Sequence, residues 1–551
     1  MKKILSIISL LLIGFIIVSC DNSSFATVNT TINTTTENET TENETTITTT
    51  TEESSITTTT EETSITTTTN IETTETSQET TTEDTSTGLV TIDLYSMNDF
   101  HGGAYSPIEA LAYVGDYIKN NQENSLYLTN GDMLQGSALS NYYYGMPIVD
   151  SLNEAGFDGF VIGNHEFDWG IDKILAYRDG NEENGELNHE ILAANIVYED
   201  SGLPLENTMP YIIESFDGVN IGVIGLIGEL KNSIAASRTE NIEFLDPVIT
   251  AENYASELRN NHDVDIVVVY IHNGSYINDD LINLSDDKQI DGIFNGHTHW
   301  DQAGVIDRNL IGVPFAQANN YDTWMVGMSF VYDLETDSIE SVSTTRLYAN
   351  NIMTEYQIDQ NINDILYSYQ NDSEYLSYIN EELTYVNGYF SPEDLVEWGA
   401  SVIRDYANVD IGATNTGGFR VDMDAGTITM GDMMTIYPFD NVIKTSKMTG
   451  QQILDFYIEI VNNYDDVVFD DGLVPVYDGY GNIESLEVNG EPIILDQLYT
   501  VGAVDYIFDK SDYDFIEGED IIQTTYLMRD LLVKDLKNSD GNFTPNGTNI
   551  D

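Results

Sequence analysis

The sequence predicts a protein of the α/β class with two folded domains, and two observations support this. From about Leu89 onward, short apolar runs alternate with longer polar or amphipathic stretches, which is the rhythm of strands separated by helices and loops. The chain has 551 residues, 41% of them hydrophobic and 10% aromatic, so it is too long for one domain and apolar enough to bury sizeable cores.

Residues 1–20 are predicted to be a lipoprotein signal peptide. Positive charge at Met1-Lys2-Lys3 is followed by an apolar run from Ile4 to Val18, which is too short for a comfortable transmembrane helix. Ile17-Val18-Ser19-Cys20 then resembles a bacterial lipobox, in which Cys20, the only cysteine, would be lipidated. An ordinary signal peptide or an uncleaved anchor is the alternative. We therefore expect the protein at the extracellular face of a bacterial membrane, which it would contact through its lipid anchor only.

Residues 21–88 are predicted to be a disordered stalk. They consist largely of Thr, Glu, Ser and Asn, with near-repeats such as TTTENETTENETT, and they hold almost no apolar side chains. Such a segment cannot bury enough surface to offset the entropy of ordering. It would hold the folded domains away from the membrane.

The charge of the chain excludes one class of partner. There are 94 acidic and 19 basic residues, which gives a formal net charge of −75. Binding to nucleic-acid polymers depends on clustered Lys and Arg, so a role on DNA or RNA is disfavoured. A small phosphorylated substrate could still bind where metal cations reverse the local field.

The apolar runs of residues 89–350 predict the strands of the first domain. They are VTIDLYSM, SLYLTN, FDGFVIG, ILAANIV, NIGVIGLI, VDIVVVYI, IDGIFNG and VPFAQAN. Amphipathic stretches at 108–120 and 147–155 predict helices between them. A further helical pattern at 358–382 predicts a connector to the second α/β domain.

Five of the runs end in a cluster of polar residues. These clusters are NDFHG from Asn98, NGD from Asn130, GNHEFD from Gly163, HNG from His272 and NGHTH from Asn295. In open α/β sheets, ligands gather at the carboxyl ends of the strands, so the clusters are expected to converge on one site.

Histidines concentrate in these clusters. Five of the seven histidines lie there, namely His101, His165, His272, His297 and His299. A single histidine is more often a surface residue or a satisfied core residue than a ligand. Asp-X-His and His-Thr-His, however, place two donors on one face of a segment, and five clusters after five apolar runs favour a metal site.

The clusters resemble the motifs of calcineurin-like metallophosphoesterases, in the version carried by 5′-nucleotidases. GNHEFD together with GHTH is a specific signal, and the resemblance spans roughly Leu89 to Leu536. It implies a four-layer αββα domain at 89–350, a helical connector at 351–384 and a smaller α/β 5′-nucleotidase C-terminal domain at 385–537. Residues 538–551 would be a polar tail.

The resemblance also implies two divalent metal ions with a shared ligand. One metal would be held by Asp99, His101, Asp132 and His299, and the other by Asp132, Asn164, His272 and His297. A bridging carboxylate holds two cations close enough to activate a bound water and to polarise a phosphoryl group. The mixed nitrogen and oxygen donors suit Zn, Mn, Co or Fe.

His165 is expected to act on the substrate rather than on a metal. By resemblance it contacts the phosphate or the leaving oxygen, while Asp168 orients or charges its imidazole. For Asp168 the alternative role is a helix N-cap before Trp169-Gly170, and the two roles are compatible.

The second domain is expected to bind the nucleotide. The resemblance assigns substrate contacts to Asn415, Arg420, Phe439, Asn441, Tyr506 and Asp512. The Arg420 guanidinium suits a phosphate, Phe439 and Tyr506 would stack on a base, and Asp512 would bind the ribose. Arg420 could instead be a surface arginine after a Gly-Gly turn, and Phe439 and Tyr506 could be core aromatic rings, but the shared order of these residues along the chain favours the nucleotide site.

Two departures from the family pattern concern this second domain. Lys510-Ser511 stands where the family usually has Gly-Gly before the aspartate, which puts the ribose contact of Asp512 in question. The stretch 390–399 holds no arginine of the kind that some members carry there.

The function expected from these motifs is release of phosphate from extracellular nucleotides. A 2′,3′-cyclic nucleotide phosphodiesterase or UDP-sugar hydrolase using the same site is the alternative enzyme. A metal-binding surface adhesin or binding lipoprotein is the alternative outside catalysis, although all the metal positions and His165 carry chemically competent residues. The oligomeric state is not predicted.

Overall fold

The structure is a computed structural model that describes residues 88–181, 185–308, 311–463, 466–510, 513–539, 541 and 543–545. The predicted signal peptide with Cys20, nearly all of the predicted stalk and the ribose-binding candidate Asp512 lie outside the described residues. Within the described ranges, every helix is too short or too polar to cross a bilayer.

The N-terminal domain is built from short strands joined by helices and turns. Its strands are β1 (Leu89–Met97), β2 (Ser125–Asn130), β3 (Gly159–Val161), β4 (Glu190–Leu192), β5 (Ile196–Tyr198), β6 (Tyr211–Phe216), β7 (Val219–Ile227), β8 (Ile242–Phe244), β9 (Ile266–His272), β10 (Gly292–Phe294), β11 (Gln302–Ile306), β12 (Val313–Gln317), β13 (Thr323–Asp333) and β14 (Ser338–Tyr348). The helices of this half are α1 (Ala110–Asn120), α2 (Ala138–Tyr142), α3 (Met146–Ala155), α4 (Ile171–Ala176), α5 (Pro247–His262), α6 (Asn278–Ile282), α7 (Ala349–Glu355), α8 (Gln360–Gln370) and α9 (Ser373–Ile379).

Two six-stranded sheets form the centre of this domain, in the orders β14-β13-β1-β2-β3-β4 and β11-β12-β10-β9-β7-β6. In the first sheet β1, β2, β3 and β4 run parallel, and in the second β7, β9, β10 and β12 do. Parallel strands end at the same edge of their sheet, so the polar clusters that follow β1, β2, β3, β9 and β10 lie side by side.

Apolar cores separate the layers of the domain. Ile92 of β1 lies in one buried core with Val223 and Val268 of the second sheet. On the outer face of the first sheet lie α1 and α3, and on the outer face of the second lies α5, whose Leu258 is fully buried. The order is therefore helix, sheet, sheet, helix, and the predicted four-layer αββα fold is confirmed.

The C-terminal domain is a smaller α/β unit. Its strands are β15 (Glu382–Val386), β16 (Ile411–Asn415), β17 (Gly426–Thr429), β18 (Val442–Thr449), β19 (Val467–Phe469), β20 (Leu473–Tyr477), β21 (Ile483–Val488), β22 (Glu491–Pro492), β23 (Leu498–Val504) and β24 (Glu519–Leu527). Its helices are α10 (Pro392–Ala407), α11 (Met430–Ile436), α12 (Gly450–Asn463), α13 (Asp505–Phe508) and α14 (Met528–Asn538). The main sheet has the order β19-β16-β23-β18-β24.

The ends of the second domain differ in detail from the predicted segments. Residues 351–384 contain most of α7, then α8, α9 and the start of β15. Ile362 and Leu366 of α8 lie in the same core as Ile118 of α1, so this part of the segment packs as part of the N-terminal domain. In the stretch predicted as a polar tail, Phe543 is buried with its ring 4.9 Å from that of Trp398.

Candidate metal centre and substrate cavity

The predicted metal ligands come together at the carboxyl edge of the two sheets. Asp99 and His101 follow β1, Asp132 follows β2, Asn164 follows β3, His272 ends β9, and His297 and His299 follow β10. The side chains are buried or partly buried. Loops from both sheets therefore converge here, as the sequence predicted.

Five of these residues have left-handed backbone conformations. The φ angles are 54° at Asp99, 50° at His101, 55° at Asp132, 72° at His297 and 55° at His299. Positive φ is uncommon for residues other than glycine and costs on the order of 1–3 kcal/mol where the surroundings enforce it. Because five such residues lie together, we infer that the loops adopt these backbone conformations in order to direct their side chains toward one site.

The donor atoms form two separate groups and a third that overlaps both. In each group the donors lie within 4.8 Å of one another. The first group is Asp99, His101 and His299, and the second is Asp132, His272 and His297. The overlapping group, His101, Asp132 and His165, shares His101 with the first and Asp132 with the second. In the first, His299 Nε2 lies 3.4 Å from Asp99 Oδ1. In the second, His272 Nε2 lies 3.0 Å from Asp132 Oδ2. His101 Nε2 lies 4.0 Å from Asp132 Oδ2, so Asp132 stands between the groups.

Asn164 joins the second group through His297. The Nδ1 atom of His297 lies 2.9 Å from Asn164 Oδ1, and the backbone N–H of His297 donates to both Asp99 carboxylate oxygens at 3.1 Å. The loop after β10 is thereby tied to the loop after β1.

Hydrogen bonds from the far side of two rings aim their Nε2 atoms at this centre. His101 donates from Nδ1 to the Gln135 carbonyl at 3.1 Å, and His272 donates from Nδ1 to the Asn130 carbonyl at 2.8 Å. A carbonyl can only accept, so each Nδ1 carries a proton, and Nε2 is the atom that can bind a metal once it carries none. The buried His272 Nε2 faces the carboxylates of Asp132, at 3.0 Å, and of Asp99, at 4.0 Å. The donor set therefore fits divalent cations of the Zn, Mn, Co or Fe type.

The charge states of three of the four rings suit metal ligation. Burial, assisted by the neighbouring His165, holds the pKa of His101 well below its usual range. Burial likewise lowers the pKa of His297 and of His299 to about 4. These rings are neutral at pH 7. Burial opposes the charge on His272 too, but Asp132 and Asp99 raise its pKa to about 10.

His165 lies beside the metal ligands and is paired with Asp168. Its backbone N–H donates to Asp132 Oδ1 at 2.8 Å, and its Nδ1 lies 2.9 Å from Asp168 Oδ2. Burial disfavours the imidazolium, but Asp168 and Asp132 outweigh burial and raise the pKa of His165 to about 9. The ring is thus an imidazolium at pH 7 whose Nδ1 proton is directed at Asp168.

Glu166 has a structural task that the sequence reasoning did not assign. Its buried carboxylate accepts backbone N–H groups of Asp132 (2.8 Å), Met133 (2.9 Å), Leu134 (3.3 Å) and Gly163 (2.8 Å). It therefore clamps the loop that carries Asp132 to the loop that carries Asn164. The one indication of this role in the sequence is the position of Glu166 inside the GNHEFD motif.

A cavity of about 260 Å³ opens from the metal centre toward the C-terminal domain. Its lining includes most of the predicted site residues: Asp132, Asn164, His165, Asp168, His297, His299, Asn415, Arg420, Phe439, Asn441 and Tyr506. Ser233, Ala235 and Asp466, which the sequence reasoning did not single out, line it too. Both domains thus contribute to one cavity.

The C-terminal residues are held in place by specific contacts. The Phe439 ring stacks 5.9 Å from that of His165 with an interplanar angle of 25°. Asn441 donates from Nδ2 to the buried Asp505 at 2.9 Å and accepts from the Tyr437 hydroxyl at 3.1 Å. Asp505 in turn accepts from Ser237 of the N-terminal domain at 3.1 Å.

The departure at Lys510 has a structural counterpart. The Lys510 ammonium lies 4.0 Å from the centre of the Tyr506 ring, which is cation–π geometry. A glycine at this position could not make that contact, so one face of the Tyr506 ring meets a cation.

Family models match both domains. Residues 94–301 match the calcineurin-like phosphoesterase model, and residues 373–516 match the 5′-nucleotidase C-terminal domain model. The two matched ranges follow the domain order seen in the structure and contain every predicted metal ligand and substrate residue.

Relatives and solved structures share this organisation. The chain is 25% identical over 422 residues to a 5′-nucleotidase of Vibrio parahaemolyticus, covering 66% of this chain and 73% of that protein. It is 27% identical over 412 residues to endonuclease YhcR of Bacillus subtilis, covering 68% of this chain but only 33% of that protein's length. A 5′-nucleotidase precursor from Thermus thermophilus has the same fold, with a TM-score of 0.64, 18% identity and coverage of 84% of this chain and 98% of its own.

Proposed function

Because the chain belongs to the 5′-nucleotidase family of calcineurin-like metallophosphoesterases, which are hydrolases, we propose that it releases phosphate from nucleotides. The observation that carries the proposal is the shared cavity, which joins the metal centre and His165 to aromatic and amide side chains of the second domain. A general phosphatase would need only the metal centre and His165, and not the side chains of the second domain.

The two donor groups support binding of two divalent cations with Asp132 between them. Such cations would lower the pKa of a water and polarise the phosphoryl oxygens. The protein's own part is to fix the ligands, which it does through left-handed loops, through carbonyl partners of His101 and His272 and through Glu166.

His165 and Arg420 are positioned to act on the phosphate itself. The Arg420 guanidinium lines the cavity and suits the planar pairs of oxygens of a phosphate. His165 keeps one proton on Nδ1 for Asp168, so its Nε2 can donate to the leaving oxygen and transfer a proton as that oxygen departs.

The nucleoside would be bound by the C-terminal wall of the cavity. Phe439 and Tyr506 offer aromatic faces for a base, and Asn415 and Asn441 offer amide groups for its edge or for the ribose. Stacking tolerates several bases, so the proposal is nucleotides as a class. Because Asp512 lies outside the described residues, a ribose contact by that side chain stays a prediction.

The test is phosphate release by the protein without its predicted signal peptide, residues 21–551, supplied with Mn, Zn or Co. The substrates are AMP, UMP, a 2′,3′-cyclic nucleotide, UDP-glucose and p-nitrophenyl phosphate. Asp132→Ala should abolish all turnover, and His165→Ala should lower kcat by about 10²- to 10⁴-fold. Tyr506→Ala should lower kcat/KM for nucleotides by roughly 10- to 100-fold and change that for p-nitrophenyl phosphate little.

Each outcome distinguishes one candidate function from the others. Turnover of AMP and UMP well above p-nitrophenyl phosphate supports the nucleotidase. Preference for the cyclic nucleotide or UDP-glucose would move the activity to a phosphodiesterase or nucleotide-sugar hydrolase with the same site. Turnover of p-nitrophenyl phosphate alone would contradict the nucleotide assignment, and bound metal without any turnover would favour a binding lipoprotein.

An extracellular, lipid-anchored location completes the proposal and rests on residues 1–20 alone. Cys20→Ala should prevent incorporation of labelled palmitate and release the protein from the membrane fraction. Membrane retention of an unlabelled Cys20→Ala variant would contradict lipidation as the anchor.

A further inference from the structure

Arg420 is the one Lys or Arg among the described residues that line the substrate cavity. In a chain with 19 basic and 94 acidic residues, this single guanidinium would carry the side-chain contribution to phosphate binding from the C-terminal domain. Its position relative to the metal centre therefore matters, and the structure identifies what holds it.

The shortest contact of Arg420 crosses the domain boundary. Its Nη2 donates to the Tyr105 hydroxyl at 2.5 Å, whereas its Nη1 lies 3.5 Å from the Gly417 carbonyl and its Cζ 5.9 Å from the centre of the Phe439 ring. A guanidinium has five N–H donors in a rigid fork, so donation of one to Tyr105 leaves others for a phosphate.

Tyr105 is itself held by candidate metal ligands. Its ring lies edge-on to that of His101 at 5.2 Å and to that of His299 at 5.3 Å. It is joined to His101 by Gly102, Gly103 and Ala104. The φ angles of 60° at Gly102 and 87° at Gly103 turn the chain, and the phenol hydroxyl meets Arg420 of the second domain. One end of Tyr105 is thus fixed by the metal centre and the other by Arg420.

We propose that Tyr105 is a positioning residue that sets the Arg420 guanidinium at a fixed distance from the metal centre. A phosphate held between the two would then meet the metal ligands on one side and a pre-oriented guanidinium on the other. The inference rests on the proposed phosphohydrolase function, because it assigns a task within that same site. Nothing in the sequence motifs marks Tyr105, one of 34 tyrosines.

The effect should concern the phosphate and not the base. Loss of the Tyr105 hydroxyl leaves Phe439, Tyr506 and Asn441 in place. It should therefore weaken the binding of nucleotides and of p-nitrophenyl phosphate by the same factor. The binding of inorganic phosphate, which has no base, should be weakened by the same factor.

The test compares Tyr105→Phe, Arg420→Ala and the double variant in the metal-loaded protein. Tyr105→Phe should raise KM for AMP and for p-nitrophenyl phosphate, and the calorimetric Kd for inorganic phosphate, by roughly 3- to 10-fold. The double variant should match Arg420→Ala, since Tyr105 acts only through Arg420. Metal content and Tm should stay near wild type.

Tyr321→Phe is the matched control. The Tyr321 ring lies 5.3 Å from that of Tyr105 and 6.5 Å from that of His299, so it shares the aromatic cluster. This control should leave KM and phosphate affinity within twofold of wild type.

Three results would overturn the inference. These are unchanged phosphate affinity in Tyr105→Phe, additive losses in the double variant, or loss of bound metal from Tyr105→Phe, which would make the tyrosine a support for the histidines alone. If the wild-type protein binds metal but turns over no substrate, the proposed function fails instead, and the calorimetric comparison still decides the role of Tyr105.

Discussion

The candidate metal ligands are held in position by hydrogen bonds from residues that are not ligands themselves. The sequence motifs lie in polar clusters after apolar runs, and their resemblance to the 5′-nucleotidase motifs implied the seven ligand candidates and the roles of His165 and Asp168. They did not predict the task of Glu166 or the contact of Tyr105 with Arg420. Those roles depend on which backbone groups and which distant side chain come close, and spacing along the chain does not encode that.

The Glu166 clamp predicts a loss of stability on a nearly isosteric change. Glu166→Gln replaces one oxygen acceptor by an NH₂ donor, which then faces the backbone N–H groups either of Asp132 and Gly163 or of Met133 and Leu134. The free energy of unfolding, measured with urea in the presence of a chelator, should fall by about 1–3 kcal/mol.

The control for this change is a glutamate with a surface ion pair. Glu190 pairs with Arg178 at 2.7 Å and is half-buried, with its side chain 41% exposed, so Glu190→Gln should cost at most about 1 kcal/mol. Equal losses in the two variants would show that Glu166 does not clamp the loops.

At the scale of elements, the buried parallel strands were the predictable part. The run VDIVVVYI becomes β9, which is buried along its whole length, because a parallel strand covered on both faces is apolar throughout. The edge strand β14 was missed. Its sequence SIESVSTTRLY is mostly exposed and polar, so it carries no apolar run.

The loops after the strands depend on glycine where they approach one another. Gly131 has a φ of +82°, and a Cβ there would lie 2.4 Å from His272 Nδ1 and 2.7 Å from Gly163 Cα. Gly131→Ala should therefore displace the ring of His272, a candidate metal ligand, and lower metal affinity by about tenfold or more. Metal content after dialysis against a graded chelator series measures this.

A second left-handed glycine separates backbone strain from the clash. Gly218, in the turn between β6 and β7, has a φ of +94°, and a Cβ there would meet no described heavy atom within 4 Å. Gly218→Ala should cost about 1 kcal/mol of stability and leave metal content unchanged. If both variants lose metal alike, the approach of Gly131 to His272 is not the cause.

At the scale of the whole molecule, the cavity between the domains could not be derived from the sequence. Ser237 and Asp505 meet across 268 residues, and Tyr105 and Arg420 across 315. The motifs indicated that both domains carry substrate residues. Which loop of one domain faces which helix of the other follows from packing of the complete chain.

The net charge of −75 predicts an unusual salt dependence. An acidic molecule repels an anionic nucleotide at long range, and salt screens that repulsion. KM for AMP should therefore fall severalfold between low and physiological ionic strength while kcat stays constant. Inhibition by uncharged adenosine should not change with salt. A KM for AMP that rises with salt would mean that attraction by the metal centre dominates even at long range.

The pairing of His272 with Asp132 and Asp99 has a consequence for how the protein takes up metal. With its pKa raised to about 10, the His272 ring carries protons on both nitrogens at pH 7 in the metal-free protein. Burial raises the pKa of Asp99 to about 7, so that this carboxyl group is partly protonated as well. A cation entering this centre must displace those protons, which makes loading an exchange of one kind of cation for another. The apparent Kd for Mn²⁺ should therefore fall by roughly tenfold per displaced proton for each unit rise from pH 6.5 to 8.5, and calorimetry in buffers of different ionisation enthalpy should count one to two protons released. A Kd independent of pH, with no buffer-dependent heat, would mean that the metal-free centre holds no exchangeable proton.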